Sequence, residues 1–385
     1  MNTLYDLLHQ SKGNIKYLKL SECCNILDNR RKPISKSSRV SGHYPYYGAN
    51  GIQDYVHDYI FDGSFILVGE DGSVITKSGK PIVTWATGKI WVNNHAHILS
   101  EKENINLRYL FHYLQTVDIT SMVHGSIPKL TGKDLKSILI PIPALELQNE
   151  IVNILDVFKN MEAELEAELE ARKKQFEYYR NSIFSDLNSY PKLYISDICK
   201  TICSGGTPNT QRQDFYCGTI PWLRTQEVDF KDITDTAIKI SEEAFLESST
   251  KWVEENSIIV AMYGATAGKC AVTKIRLTTN QACCNLTISP DIANYRYVYH
   301  WICLNYQNIK KMGRGSQSNI NSGMLKNLLM PIPPLDIQNK IAKILDTFDS
   351  LCNDLAEGIP AEIEARRKQY EYYRDKLLSF KELEN

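Results

Sequence analysis

A chain of 385 residues exceeds what one hydrophobic core usually supports, so two domains are expected. Hydrophobic residues at 43% and charged residues at 23% exclude a disordered or low-complexity chain. The N-terminal residues show no basic leader and no segment is apolar enough for a membrane span, so a cytoplasmic protein without a membrane partner is expected.

Net charge is −1, but it is unevenly spread. Residues 144–180 carry −4 and residues 334–380 carry −2, which leaves +5 for the rest. Local electrostatic binding by the remainder fits this split. The ten cysteines form two adjacent pairs, Cys23-Cys24 and Cys283-Cys284, and scattered singles with no Cys-x-x-Cys, so free thiols in a reducing compartment are expected.

From about residue 14 to 140 the chain reads as a mixed α/β globule, with short β-branched and aromatic runs such as Ser64–Val68 between Gly- and Asn-rich turns. It opens with the basic, Ser-rich loop 30–39 and the turn-rich aromatic stretch 42–51. An ordinary solvated loop is the alternative for the first, and core tyrosines for the second. His95 and His97 alternate as on one strand face, but no third ligand is evident and no metal is expected.

Pro141 and Pro143 then precede a helix expected to begin near Ala144. Ile151, Leu155, Phe158, Leu165, Leu169, Phe176, Tyr179 and Ile183 follow a 4-3-4-3 series interrupted at Glu162 and Arg172. That is a heptad seam on a helix of about 40 residues, roughly 60 Å long.

Residues 192–330 form a second globule of the same kind. Sparse anchors recur in both: Gly72 and Gly264, Asn94-His95-Ala96 beside Asn280-Gln281-Ala282, Arg108–Tyr113 beside Arg296–Trp301, and Gly125-Ser126 beside Gly315-Ser316. Gly264–Cys270 evokes a phosphate-binding loop, but its spacing is one residue short and Cys270 stands where Ser or Thr would hold magnesium. A structural turn is the better reading.

The helical segment then returns. Pro141–Ile151 repeats as Pro331–Ile341, and Ala167–Arg180 repeats as Ala361–Arg374. The second seam runs Ile341, Leu345, Phe348, Cys352, Leu355, Ile359, Ile363, Tyr370, Tyr373 and Leu377, with a four-residue stutter at Gly358 and Pro360. A kink or break is expected there, with Pro360 starting a new segment. The acidic run at 162–170 and the basic ends at 172–174 and 366–368 favour antiparallel packing of the two helices.

Pro331–Gln338 and Gly358–Leu378 resemble the conserved regions of the DNA specificity (S) subunit of type I restriction–modification systems, and the resemblance covers essentially the whole chain. It implies an α/β (α+β) protein with two similar target recognition domains, 1–143 and 188–333, and two long antiparallel coiled-coil helices, 144–187 and 334–385, related by a pseudo-two-fold. Each domain is expected to read one half of an asymmetric bipartite site in double-stranded DNA, with the helices as a ruler. The resemblance further implies two methyltransferase (M) subunits that methylate adenine and restriction (R) subunits that cleave. The chain itself is expected to be non-catalytic and without cofactor, with S-adenosylmethionine, ATP and magnesium on the partner subunits. Other readings are the specificity half of a fused methylase–nuclease enzyme and a coiled-coil scaffold with no DNA role.

Guanidinium and amide groups suit base edges, whereas Lys suits phosphates. Candidates in the first domain are Arg30, Arg31, Lys32, Lys36, Arg39, Tyr46 and Asn50. In the second they are Thr207, Asn209, Arg212, Arg224, Gln226, Lys310, Lys311 and Arg314. Arg224 and Gln226 are favoured for base contact, while the Gly-Gly-Thr-Pro element is expected to set loop shape or touch phosphate.

Overall fold

The computed structural model describes residues 15–313, 319–354 and 356–380. The chain divides into two compact units: one takes the chain to Glu166 together with the stretch from Glu362, and the other is Ala167–Ala361. The division therefore falls inside the repeated helices. Each unit holds one globule and parts of both helical segments.

The first unit contains strands β1 (Lys16–Lys19), β2 (Asn25–Ile26), β3 (Ser41–Gly48), β4 (Gly51–Val56), β5 (Phe61–Gly69), β6 (Val83–Val92) and β7 (Ala96–Ser100). Helix α1 (Leu107–Leu114), the hairpin β8 (Val123–His124) and β9 (Lys129–Leu130), and β10 (Leu139–Ile142) follow. Six strands form a sheet in the order β2-β7-β5-β6-β3-β4, in which only β3 and β6 run parallel. β1 pairs with β10, so the Pro-Ile-Pro segment leaves the globule as a strand. Helix α2 (Leu145–Asp186) starts immediately afterwards and runs for 42 residues.

The second unit repeats the plan with β11 (Lys192–Tyr194), β12 (Cys199–Ser204), β13 (Ile220–Leu223), β14 (Asp232–Ile233), β15 (Lys239–Ile240), β16 (Trp252–Val253), β17 (Ile258–Ala261), β18 (Cys270–Thr273), β19 (Leu277–Thr279) and β20 (Cys283–Ile288). Helix α3 (Tyr295–Leu304), β21 (Leu329–Pro331), α4 (Leu335–Asn353) and α5 (Ile359–Leu378) complete the chain, the last lying in the first unit. The order β12-β20-β17-β18 matches β2-β7-β5-β6, and β11 pairs with β21 as β1 does with β10. The long β6 corresponds to β18 and β19 in succession, and β13 runs parallel to β19 as β3 does to β6.

The repeated helical motif is an anchor. Gln148, fully buried, donates from Nε2 to the Pro143 carbonyl (2.9 Å) and accepts the Asn106 backbone N–H (2.9 Å). Gln338 does the same with Pro333 (2.8 Å) and Asn294 (2.9 Å). Tyr109 donates to the Pro141 carbonyl and Tyr297 to that of Pro331. Removing either glutamine leaves a buried donor and acceptor unpaired, so Gln148→Ala and Gln338→Ala are each expected to cost about 2–4 kcal/mol, read as matching shifts in urea midpoint.

A second network ties each globule to its helix. Asp156 accepts from Arg108 Nε (2.8 Å) and pairs with His112 Nε2 (2.9 Å), while Asp346 accepts from Arg296 Nε (2.7 Å) and pairs with His300 Nε2 (2.7 Å). The copies differ in what covers the histidine. In the first unit the Tyr370 hydroxyl bonds His112 Nδ1 at 2.8 Å; in the second, Phe176 stands edge-on to the His300 ring. Tyr370 and Phe176 are the same position of the two repeats, and each sits on the globule that the other repeat follows.

Within each unit the helices run antiparallel. In the first, Phe158 stacks on Tyr373, Lys159 lies over the Tyr370 ring, and Glu162 and Glu166 both pair with Arg367. Rising numbers on α2 thus meet falling numbers on α5. In the second, Phe176 and Tyr179 pack on Phe348 of α4, while Lys173 and Cys352 line one hollow.

The seam is buried at Ile151, Leu155, Phe176, Ile341, Leu345, Ile363 and Tyr370, and partly so at Phe158, Leu165, Leu169, Phe348 and Tyr373. Tyr179 keeps 41% of its surface, and Leu355 lies outside the described residues. Glu162 interrupts the seam yet is buried, because Lys159 and Arg367 neutralise it. The stutter is a break: α4 ends at Asn353 and α5 begins at Ile359, with Pro360 as its second residue, where a missing N–H is harmless. A side chain on Gly358 would stand 2.7 Å from the Ser350 and Asp354 carbonyl oxygens.

Candidate nucleic-acid interface

Both globules bring the same segments together around one turn, 92–95 in the first and 279–282 in the second. In the first unit the Asn93 N–H bonds the Tyr47 carbonyl, Lys32 N–H bonds the Val92 carbonyl, and Glu70 N–H bonds the His95 carbonyl. In the second unit Asn280 N–H bonds Leu223, Gly206 N–H bonds Thr279, and Met262 N–H bonds Ala282. An incoming loop, a strand end and a turn therefore meet in one arrangement twice. Gly72 and Gly264, with φ of +78° and +80°, mark the neighbouring loop in each.

These bonds correct the register read from sequence. Asn93, not Asn94, is the counterpart of Asn280, so Asn94 matches Gln281 and His95 matches Ala282. Asn94 and Asn280 both stand two residues before Ala, and only the hydrogen bonds reveal the one-residue shift. Gly125-Ser126 lies in the β8–β9 hairpin, whereas Gly315-Ser316 lies outside the described residues.

Tyr46 and Trp222 occupy equivalent strand positions, paired with Trp91 and Thr278. Both are buried and both clamp the incoming loop. The Tyr46 hydroxyl bonds the Ile34 N–H (3.0 Å) and approaches its carbonyl, while Trp222 Nε1 donates to the Gly206 carbonyl (3.0 Å). Tyr46, taken from sequence as a candidate contact, is 1% exposed and supports the loop from beneath. A Cβ on Gly205 would strike the Thr279 carbonyl and one on Gly206 the Ser249–Thr250 backbone, so Gly-Gly-Thr-Pro sets loop shape.

Several basic candidates already carry ion pairs, Arg31 and Arg39 part-buried and Arg212 at the surface. Arg31 Nη1 donates to Glu70 (2.6 Å) and to the Ala96 carbonyl (2.7 Å), and its Nε to the Asp28 carbonyl (2.9 Å). Arg39 lies 4.2 Å from the Tyr46 ring centroid and pairs with Asp54, which the Tyr55 N–H and then this guanidinium hold below the ordinary carboxylate range. Arg212 forks onto Asp214 and Glu243, whose carboxylates raise its pKa. These three shape loops.

Arg30, Lys32 and Lys36 are exposed and carry no ion pair among the described residues. Asn50 and Gln226 are exposed too, with side chains that bond nothing among those residues. Thr207 donates to the Gln281 amide oxygen, and Asn209 accepts the Gln211 N–H. Arg224 is half-buried, and its Nε and the neighbouring Asn280 Oδ1 are buried without a partner. Lys310 reaches the Tyr306 hydroxyl and packs beside Gly268, Lys311 is exposed, and Arg314 lies outside the described residues.

The structure adds residues that sequence reasoning passed over. A hollow of about 390 Å³ at the first tip is lined by Asn50, Gln53, Asp71, Gly72, His95 and Ile127, among others. His95 pairs there with Asp71, and Asn93 Nδ2 holds Gln53. His97 does have further acidic neighbours: Asp28 and Glu70 lie close enough to share an ion with it. Its Nδ1 pairs with Asp28 (2.7 Å) and its Nε2 faces the Leu130 carbonyl (2.9 Å), while Arg31 and Lys129 neutralise Glu70. The cluster is an ion-pair network that pins the incoming loop. The Gly264–Cys270 segment is the β17–β18 connection, with Lys269 bound to Asp229 (2.6 Å) and Cys270 buried.

Among the described residues no helix is long and apolar enough to cross a membrane. The family described as "Type I restriction modification DNA specificity domain" matches residues 12–172 and 191–365. A putative type I restriction enzyme specificity subunit of Haemophilus influenzae is 35% identical over 96% of each chain. The specificity subunit of the type I restriction enzyme EcoR124I/EcoR124II of Escherichia coli is 36% identical over 71% of each. The crystal structure of an S subunit of a type I restriction–modification system from M. genitalium superposes with a TM-score of 0.62 at 16% identity, covering 95% of this chain and 96% of that one.

Proposed function

Since the chain belongs to the family of type I restriction–modification DNA specificity subunits, we propose that its two tips each read one half of an interrupted, asymmetric site in double-stranded DNA. The observation that carries this reading is the doubled tip: one backbone arrangement with different side chains, set on anchors that are nearly identical. A conserved frame with divergent exposed groups suits two readers of different sequences.

On this reading the chain is not itself catalytic. Two methyltransferase subunits, using S-adenosylmethionine, methylate adenine at the site it selects, and restriction subunits cleave with ATP and magnesium. The cytoplasm, where chromosomal and incoming DNA meet these partners, is the proposed location. Helix α2, at roughly 63 Å for 42 residues, supplies the spacing between half-sites.

Duplex binding by the chain assembled with its methyltransferase partner tests the proposal. Affinity is expected to fall steeply with salt as Lys and Arg release counterions, and to depend on sequence in two separated blocks. Binding indifferent to both salt and sequence sinks it.

A further inference from the structure

We propose that Asn50 and Gln226 occupy one and the same reading position, each presenting its carboxamide to the major-groove edge of an adenine in its own half-site. This rests on the DNA-reading function above and adds which residue reads, and what. Three observations converge.

The first is register. The clamping aromatics Tyr46 and Trp222 are equivalent by their parallel pairing, and in each domain the fourth residue beyond the clamp is an exposed amide. The local backbones differ. Asn50 sits in the two-residue turn joining β3 to β4, with Gly51 at φ +84°, whereas Gln226 lies in a single helical turn at 225–227. Two unlike turns thus carry the same functional group at the same offset from the clamp.

The second is availability. Several polar side chains of the two domains are engaged, Gln53 by Asn93, Asp71 by His95, and Gln281 by Thr207. Asn50 and Gln226 bond nothing among the described residues. Beside Gln226, Arg224 Nε and Asn280 Oδ1 are buried and unpaired, so this tip holds unused hydrogen-bonding capacity.

The third is chemistry. A carboxamide carries a donor and an acceptor side by side, matching adenine, which offers the N6 amino group and the N7 acceptor together. Guanine presents two acceptors on that edge and would leave the amide oxygen facing one of them. Cytosine supplies a single donor. Adenine is the base that satisfies both amide atoms.

The test uses the full chain in complex with its methyltransferase partner and a duplex carrying the sequence that complex methylates, mapped by methylation-sensitive sequencing. Each adenine is replaced singly by 7-deazaadenine, which removes the N7 acceptor. For the native protein, one position in each half-site is expected to weaken binding about ten-fold. Asn50→Ala abolishes the penalty in one half-site alone, and Gln226→Ala abolishes it in the other.

Asn50→Asp, which keeps the shape and loses the donor, is expected to shift preference at that position toward cytosine. Variants that retain both native penalties overturn the assignment, as do two variants that act on the same half-site. If the native complex binds every sequence alike, the DNA-reading function fails and the assignment falls with it. Sequence-selective binding that neither variant alters defeats the assignment alone.

Discussion

Asp156→Ala is expected to destabilise the first unit by about 3–5 kcal/mol, because the guanidinium of Arg108 and the buried imidazole of His112 lose their common acceptor. Asp346→Ala is expected to cost less. Arg296 keeps Asp232 at 2.9 Å and Asp349 at 3.7 Å, whereas no other carboxylate among the described residues pairs with Arg108. Hydrogen exchange of the α1 and α3 amides measures both, since each helix is released when its network fails. Equal loss in the two units would contradict the account.

The same network predicts acid sensitivity. Burial lowers the His112 pKa below its ordinary 6.5, more than Asp156 restores it. For Asp156, burial acts upward but is outweighed by hydrogen bonds from His112 and Arg108, so its pKa lies below 3.8. Both groups bind protons more readily in the unfolded chain, so both make stability fall as pH falls. The histidine contribution is complete above pH 6.5 and is lost as pH drops below it; the carboxylate contribution follows as pH drops through 3.8 and below. A first unit that gained stability between pH 7 and 5 would refute the assignment of a neutral His112.

The second large effect concerns spacing. Seven residues inserted into α2 between Glu166 and Lys173 keep every facing position on its side of the helix and lengthen it by about 10.5 Å. At roughly 3.4 Å per base pair that is about three base pairs. The methylated half-site sequences are expected to stay unchanged while the gap between them grows. Changed half-site sequences at constant spacing would show that α2 is not the ruler.

Much of this was legible in the sequence. The heptad period and the repeat displayed the helices, their antiparallel sense and the break at Gly358, because side-chain spacing and charge order are local properties. The function of Gln148 and Gln338 was not legible, since their partners Asn106 and Asn294 lie more than forty residues upstream. Nor was the role of Tyr46, since a tyrosine in a turn-rich stretch reads alike whether it faces solvent or clamps Ile34. The Asp28–Glu70–His97 cluster joins three separate segments, and the register at Asn93 is set by backbone bonds that leave no trace in residue type.

The covering of His112 by Tyr370 also bears on the order of synthesis. The two residues are 258 apart, so at about 5–20 residues per second the hydroxyl leaves the ribosome roughly 13–50 s after the imidazole it caps. Leu377 and Leu378, which enter the same core, come later still. Throughout that interval the core of the first globule lacks Tyr370, Leu377 and Leu378, and only a chain translated past Leu378 completes it.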